Sequence, residues 1–321
     1  MKILRSSVLA LLAALALPAC SVTSDSPTPT PPAAPAELMK WPALLTRERP
    51  EPNETIAYGD QAMQRVDLWL PKGKGPHPTV LMVHGGCWQT EIADRRIMNW
   101  IADDLRKRGI AVWNIDYRGV DREGGGYPGT FLDAAAAADA LRTNAARYNL
   151  NISPLVATGH SAGGHLALWL AARKAANARP RSPLIHQGSP LIGADPLKID
   201  TVVSLGGLPD LELAATPPGS GCGTEVIEKL VGPPTLSSRN VYADTSVPRL
   251  APLGVRQVLI NGRQDRIIPP DYATDYERRM RAAGDDVRVR MLDRTGHVEL
   301  IAPETEAWAA AVEEIQKALR R

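Results

Sequence analysis

The chain of 321 residues carries 37 Lys and Arg against 35 Asp and Glu, a formal net charge of +2 with acids and bases interspersed. Such a balance offers neither a basic stripe nor an acidic tail and argues against nucleic acid as a partner. The length suits one large α/β domain with a sizeable core once the N-terminal segment is set aside.

Lys2 and Arg5 precede an apolar stretch at residues 8–17, the charged start and short apolar centre of an export signal, too short to span a bilayer. Leu17-Pro18-Ala19-Cys20 is similar to a bacterial lipobox, in which Cys20 receives the lipid and becomes the mature N-terminus; an ordinary signal peptide cut near Ala19 is the other reading. Ser21 after the cysteine leans toward the outer membrane. The expectation is an exported lipoprotein of the bacterial cell envelope, on the periplasmic side, held to the membrane by its lipid. Residues 21–50, rich in Pro, Ser, Thr and Ala, read as a semi-rigid tether, with the catalytic domain at residues 51–321. With Cys20 lipidated, only Cys87 and Cys222 remain, and in an oxidising compartment they are either a disulfide or two free thiols.

Further along, β-branched and apolar runs at residues 65–70, 79–83, 110–115, 155–158, 201–205, 257–261 and 287–292 read as strands. Helical patterns at 92–108, 131–148, 161–176, 270–283 and 303–319 lie among them. Gly109 and Gly284 stand where helix C-caps belong, and Pro270 and Pro303 where first-turn prolines belong. Alternation of this kind predicts a mostly parallel central sheet with helices on both faces. The first run is amphipathic and precedes the predicted helices, which points to an antiparallel edge hairpin. Residues 177–198 and 209–250 break the rhythm; the second, with a short helical patch at 226–230, reads as a small lid over the site, a plain surface excursion being the other reading.

Gly159-His160-Ser161-Ala162-Gly163 sits between the run at 155–158 and a helical stretch, the strand-turn-helix setting of a nucleophile elbow. A serine hydroxyl needs a base within hydrogen-bond reach and a third group that holds the base in the right tautomer. The strand at 257–261 leads to Asp265 and the strand at 287–292 to His297, both on loops after strands and in the order Ser, acid, His. Asp271 and Asp293 compete with Asp265 for the third role: the first is placed as a helix first-turn acid, and the second comes too early in its loop. His84-Gly85-Gly86-Cys87-Trp88 follows the run at 79–83, where amides of Gly86 and Cys87 would join that of Ala162 in stabilising an oxyanion. His84 is expected to brace this loop.

His84-Gly85-Gly86-Cys87-Trp88-Gln89, Asp116-Tyr117-Arg118-Gly119, residues 159–166, Asp265 and Gly296-His297 together resemble the α/β-hydrolase esterases, in the branch that includes kynurenine formamidase-like and hormone-sensitive-lipase-like enzymes. The resemblance runs from about Tyr58 to the C-terminus. It implies the α/β-hydrolase fold, a Ser161-Asp265-His297 triad, no metal, no diffusible cofactor and a small-molecule ester or amide as substrate. Cys87 replaces the third glycine of the lipase loop and the lid segment is short, which argues against long-chain triacylglycerols. Hydrolysis of small or medium acyl esters is the first expectation. The alternatives are an arylformamidase-type amide hydrolase and a non-catalytic binding protein on the same scaffold.

Overall fold

The structure, a computed structural model, describes residues 37–178, 189–193, 195–235 and 239–320. The export signal, the lipobox with Cys20, residues 21–36 of the expected tether and residues 179–188 of the first irregular segment lie outside the described residues.

Among the described residues one sheet holds β1 (Glu54–Ala57), β2 (Arg65–Trp69), β3 (His77–Val83), β4 (Ala111–Ile115), β5 (Leu150–His160), β6 (Thr201–Leu205), β7 (Arg256–Gly262) and β8 (Val287–Leu292), in the order β1-β2-β4-β3-β5-β6-β7-β8. β1 and β2 form the antiparallel edge hairpin, with Ala57 opposite Arg65, and β2 also runs antiparallel to β4; the later pairs are parallel. The helices are α1 (Trp41–Leu45), α2 (Asn99–Lys107), α3 (Gly129–Asn144), α4 (Ala162–Ala178), α5 (Leu211–Ala214), α6 (Thr224–Val231), α7 (Asp271–Ala282) and α8 (Glu306–Leu319).

The central strands are buried on both faces, and their side chains alternate between two cores as strand geometry requires. Leu81 and Val83 of β3 join Phe131, Leu141, Leu166 and Trp169 from α3 and α4 on one face. Val80 and Met82 join Ile101, Leu105, Trp308 and Ile315 from α2 and α8 on the other. The small side chains of Ala134, Ala137 and Ala138 let α3 lie close to the sheet, where the indole of Trp113 donates to Ala137 O at 2.8 Å. From β3 the chain moves outward to β4, then returns to β5 on the other side of β3. Loops after β3 and β5 therefore leave the same sheet end in opposite directions and open a crevice between them.

Several boundaries move for local reasons. The helix expected at 92–108 begins with a 3-10 turn at Arg95–Met98, capped by Asp94, whose carboxylate accepts from Arg96 N at 2.9 Å. The last helix starts at Glu306, because Thr305 Oγ accepts from Trp308 N and so caps it. β1 went unread because its residues are mostly exposed and carry no apolar alternation.

The boundary at residue 51 needs correction, since residues 37–50 belong to the domain. Leu44 is fully buried in the same core as Val298 and Leu300. Trp100 Nε1 donates to Glu48 O at 3.0 Å, Asn99 Nδ2 to Pro50 O at 2.9 Å, and Arg47 forks onto Glu304. Proline content suggested a tether, but three apolar residues, Leu38, Trp41 and Leu44, give this stretch enough buried surface to dock.

Candidate active site

Ser161 follows β5 and precedes α4 at the crevice, and its backbone sits in the left-handed region with φ 56°. For a residue with a Cβ this conformation costs on the order of 1–3 kcal/mol and persists only where the surroundings impose it. Here Ser161 N donates to Leu205 O at 2.8 Å, and Ser161 O accepts from Gly164 N at 2.8 Å. A Cβ at Gly163 would collide with the carbonyl oxygens of Val83 and His84, which is why the elbow needs glycine at that point.

Asp265 is buried on the loop after β7. Its Oδ1 accepts from the amides of Ile267 and Ile268 at 2.8 and 2.9 Å, and its Oδ2 accepts from Nδ1 of His297 at 2.6 Å. The carboxylate is thereby locked in place, and the histidine carries its hydrogen on Nδ1 and presents Nε2 as the basic nitrogen. Asp293 is instead exposed and paired with Arg263 Nε at 2.7 Å, while Asp271 is the exposed first residue of α7.

The three loops meet. His160, next to Ser161, stacks obliquely on His297 with ring centroids 4.3 Å apart, and His160 Nε2 donates to His297 O at 3.1 Å. Burial, with the neighbouring His297 adding to it, holds the proton affinity of His160 well below the ordinary histidine value, so it stays neutral. Gly206, directly after β6, lies against the Asp265–His297 pair: a Cβ there would stand 3.3 Å from His297 Nδ1 and 3.4 Å from Asp265 Oδ2. Among the described residues no hydrogen bond joins Ser161 Oγ to the His297 ring, whose Nδ1 is taken by Asp265. Such contacts commonly tighten only once substrate is bound.

On the other wall, Gly85 abuts the serine, since a Cβ there would lie 3.0 Å from Ser161 Cβ. Gly86, Cys87 and Trp88 all have positive φ, at 105°, 51° and 53°. Among the described residues the amides of Gly86 and Cys87 have no backbone acceptor. Ala162, the first residue of α4, has an amide without an intrahelical partner, at the positive end of the helix dipole. The loop of Gly85, Gly86 and Cys87 and the first residue of α4 thus flank the serine. His84 braces the loop: its Nδ1 faces Gly85 O at 2.7 Å, its Nε2 faces Asp116 Oδ1 at 2.9 Å, and its ring stacks on Tyr117 with centroids 4.3 Å apart. Asp116 is held in turn by Arg95 Nη1 at 2.9 Å.

Cys87 and Cys222 are joined by a disulfide with Cα atoms 5.4 Å apart. Gly221 N also donates to Ile267 O at 2.6 Å. Adjacent residues of the 209–250 segment are therefore attached to the loop that carries Cys87 and to the loop that carries Asp265.

The BD-FAE family model matches residues 66–280, two thirds of the chain, and the match takes in Ser161, Asp265 and the loop of Gly86 and Cys87. The chain belongs to the BD-FAE family, within the α/β-hydrolase esterases. Among curated proteins, this BD-FAE chain is 34% identical over 119 residues to a probable isoprenylcysteine alpha-carbonyl methylesterase of Arabidopsis thaliana, covering 37% of the chain and 24% of the relative. A probable isoprenylcysteine alpha-carbonyl methylesterase of Oryza sativa subsp. japonica is 32% identical over 114 residues, covering 35% of the chain and 27% of the relative. The matched stretch spans about a quarter of the length of these relatives. Among solved structures, esterase B from Lactobacillus rhamnosis superposes with a TM-score of 0.69 at 20% identity, covering 86% of this chain and 88% of that one. A truncated carbohydrate esterase from gut microbiota gives 0.63 at 20% identity, covering 83% and 95%. At that identity both establish the fold.

Some parts of this BD-FAE site were not legible from sequence. Gly206-Gly207 after a strand was a detectable sign of close backbone approach that motif reading passed over. Glu299, which accepts from Gly296 N at 3.1 Å, and Trp41, whose ring meets that of His297 edge-on, carried no signal, because nothing local distinguishes a buried glutamate near a histidine or a tryptophan in a proline-rich stretch.

Proposed function

We propose that the protein hydrolyses carboxylic esters of small to medium acyl groups through Ser161, His297 and Asp265. The observation that carries this reading is the 2.6 Å His297–Asp265 bond, with His297 packed on His160, the residue next to Ser161 in its strained elbow. His297 Nε2 takes the Ser161 proton as Oγ attacks the carbonyl carbon. The oxyanion is received by the amides of Gly86, Cys87 and Ala162, each such donor worth ~3 kcal/mol in the transition state. His297 then returns the proton to the leaving alkoxide, and the acyl-enzyme is cleaved by a water that His297 deprotonates. Asp265 steadies the imidazolium formed in both halves. The ester substrates in the names of the curated relatives agree with this chemistry.

The same proposal places the protein outside the cytoplasm as a lipoprotein anchored through Cys20. The Cys87–Cys222 disulfide supports export, since such bonds persist in oxidising compartments.

Turnover of short p-nitrophenyl esters, aryl formamides and long-chain esters by the wild type and by Ser161→Ala tests the reading. Short esters are expected to be the best substrates and the variant to lose activity by at least a thousandfold, with fluorophosphonate labelling confined to Ser161. A Ser161→Ala protein that keeps most of its turnover would refute the assignment, and a preference for aryl formamides would redirect it to amide hydrolysis.

A further inference from the structure

The stretch just before and within α1 touches the loop of the proposed base at three points. Trp41 presents its ring edge-on to His297 and to His160, with centroids 6.3 Å away in each case and interplanar angles of 76° and 72°. Leu38 lies under Gly296, where a Cβ would stand 3.5 Å from its Cδ1. Met39 N donates to Glu299 Oε1 at 2.6 Å, and the other oxygen of that carboxylate accepts from Gly296 N at 3.1 Å. Glu299 is buried, so its two oxygens bridge the N-terminal stretch and the residue immediately before His297 with little help from water.

We propose that residues 38–41, acting with Glu299, form a positioning strap that sets the orientation of His297. The inference rests on the reading of His297 as the base. The Asp265 bond holds one point of the imidazole and leaves the ring free to swing about that point. Two further restraints remove the freedom. His160 packs on the ring and grips the His297 carbonyl, and Trp41 closes the edge of both rings. The Glu299 bridge holds the backbone just upstream, so the loop can shift only if the strap lifts as well. Trp41 belongs with Met39 to the core on the α2 and α8 face of the sheet, together with Val298 and Leu300. The Cys87–Cys222 connection and the 209–250 segment pack with the opposite core. The strap therefore acts from behind the base and is separate from the oxyanion wall.

A misplacement of about 1 Å in a catalytic group costs roughly a hundredfold in rate. In the full chain, Trp41→Ala is expected to lower kcat at least tenfold on a short p-nitrophenyl ester, with KM within twofold of wild type. The rate of fluorophosphonate labelling of Ser161 should fall by the same factor, and Trp41→Phe should restore most of both. Glu299→Gln keeps the shape of the side chain and replaces one of its two acceptor oxygens with a donor, so the bridge cannot form at both ends. This variant should lose kcat about fivefold or more with KM held. If Trp41→Ala fails to fold by circular dichroism, Glu299→Gln carries the test. Wild-type kcat in either folded variant overturns the strap. So does a raised KM with kcat intact, because the indole would then be touching substrate. Ser161→Ala and His297→Ala, assayed beside them, separate the two levels: activity in those variants refutes the triad, whereas their inactivity alongside an unaffected Trp41→Ala refutes the strap alone.

Discussion

Removing the Cys87–Cys222 bond should cost this protein a large part of its stability. The two cysteines are 135 residues apart in sequence, so the cross-link closes a loop that takes in β4, β5, β6, α3 and α4. On the chain-entropy account, a loop of that length removes enough freedom from the unfolded chain to stabilise the fold by about 5 kcal/mol. Net stabilities of domains are about 5–15 kcal/mol, so a third or more of the total is at stake. The domain from Glu37 to Arg321 has roughly 285 residues, and its unfolding entropy near the midpoint is about 0.6 kcal/mol per degree. The expected fall in Tm is therefore about 8 °C. Calorimetry of the wild type with and without dithiothreitol, and of Cys222→Ser, provides the measurement, with mass-tagging of thiols to confirm that the bond is open. Reduction should leave Cys222→Ser unchanged. A drop below about 2 °C in fully reduced wild type would refute the reasoning, since the unfolded chain could not then have been gaining the freedom assigned to it.

Two other outcomes follow from the geometry. Gly206→Ala places a Cβ 2.6 Å from Leu300 Cδ1 and beside both His297 Nδ1 and Asp265 Oδ2; kcat should drop at least tenfold, whereas Gly254→Ala, also at positive φ but with nothing within 4 Å, should cost about 1 kcal/mol of stability and leave kcat alone. Equal kcat in the two variants would contradict the crowding argument. His165 is fully buried and donates to Thr245 O at 2.8 Å, and burial pushes its pKa down to about 4. The unfolded chain takes up that proton near pH 6.5 while the folded one does not, so the stability from neutral His165 is complete above pH 6.5 and is lost as the pH falls from there toward 4. Urea unfolding at pH 7.5 and pH 5 should show His165→Gln losing about 2 kcal/mol less than wild type over that interval; an equal loss in both proteins would rule the mechanism out.

Much of the fold was readable locally. Runs such as 79–83 and 201–205 are short and apolar on both faces, and the helices between them end at Gly109 and Gly284, which do adopt positive φ. The order of Ser161, Asp265 and His297 on loops after strands was equally local, because each loop is announced by the strand before it. Choosing Asp265 over Asp271 and Asp293 was a matter of loop position, and the structure adds that Asp265 alone among the three is buried against an imidazole.

What composition and pattern determined by themselves was the alternation of strands and helices, and with it a mostly parallel sheet whose strand ends carry Ser161, Asp265 and His297. A periodicity of two or 3.6 residues is a property of neighbours in the chain, and so are turn-forming glycines. The docking of residues 37–50, the bridge from Met39 through Glu299 to Gly296, and the packing of Gly206 against Asp265 and His297 were decided only by the tertiary structure. Each of these joins positions that are distant in the chain, and burial of a carboxylate or a tryptophan depends on what arrives to cover it. Proline and serine in the N-terminal stretch describe the flexibility of an isolated peptide; the apolar side chains interleaved with them become decisive only when a core with a vacant edge stands within reach.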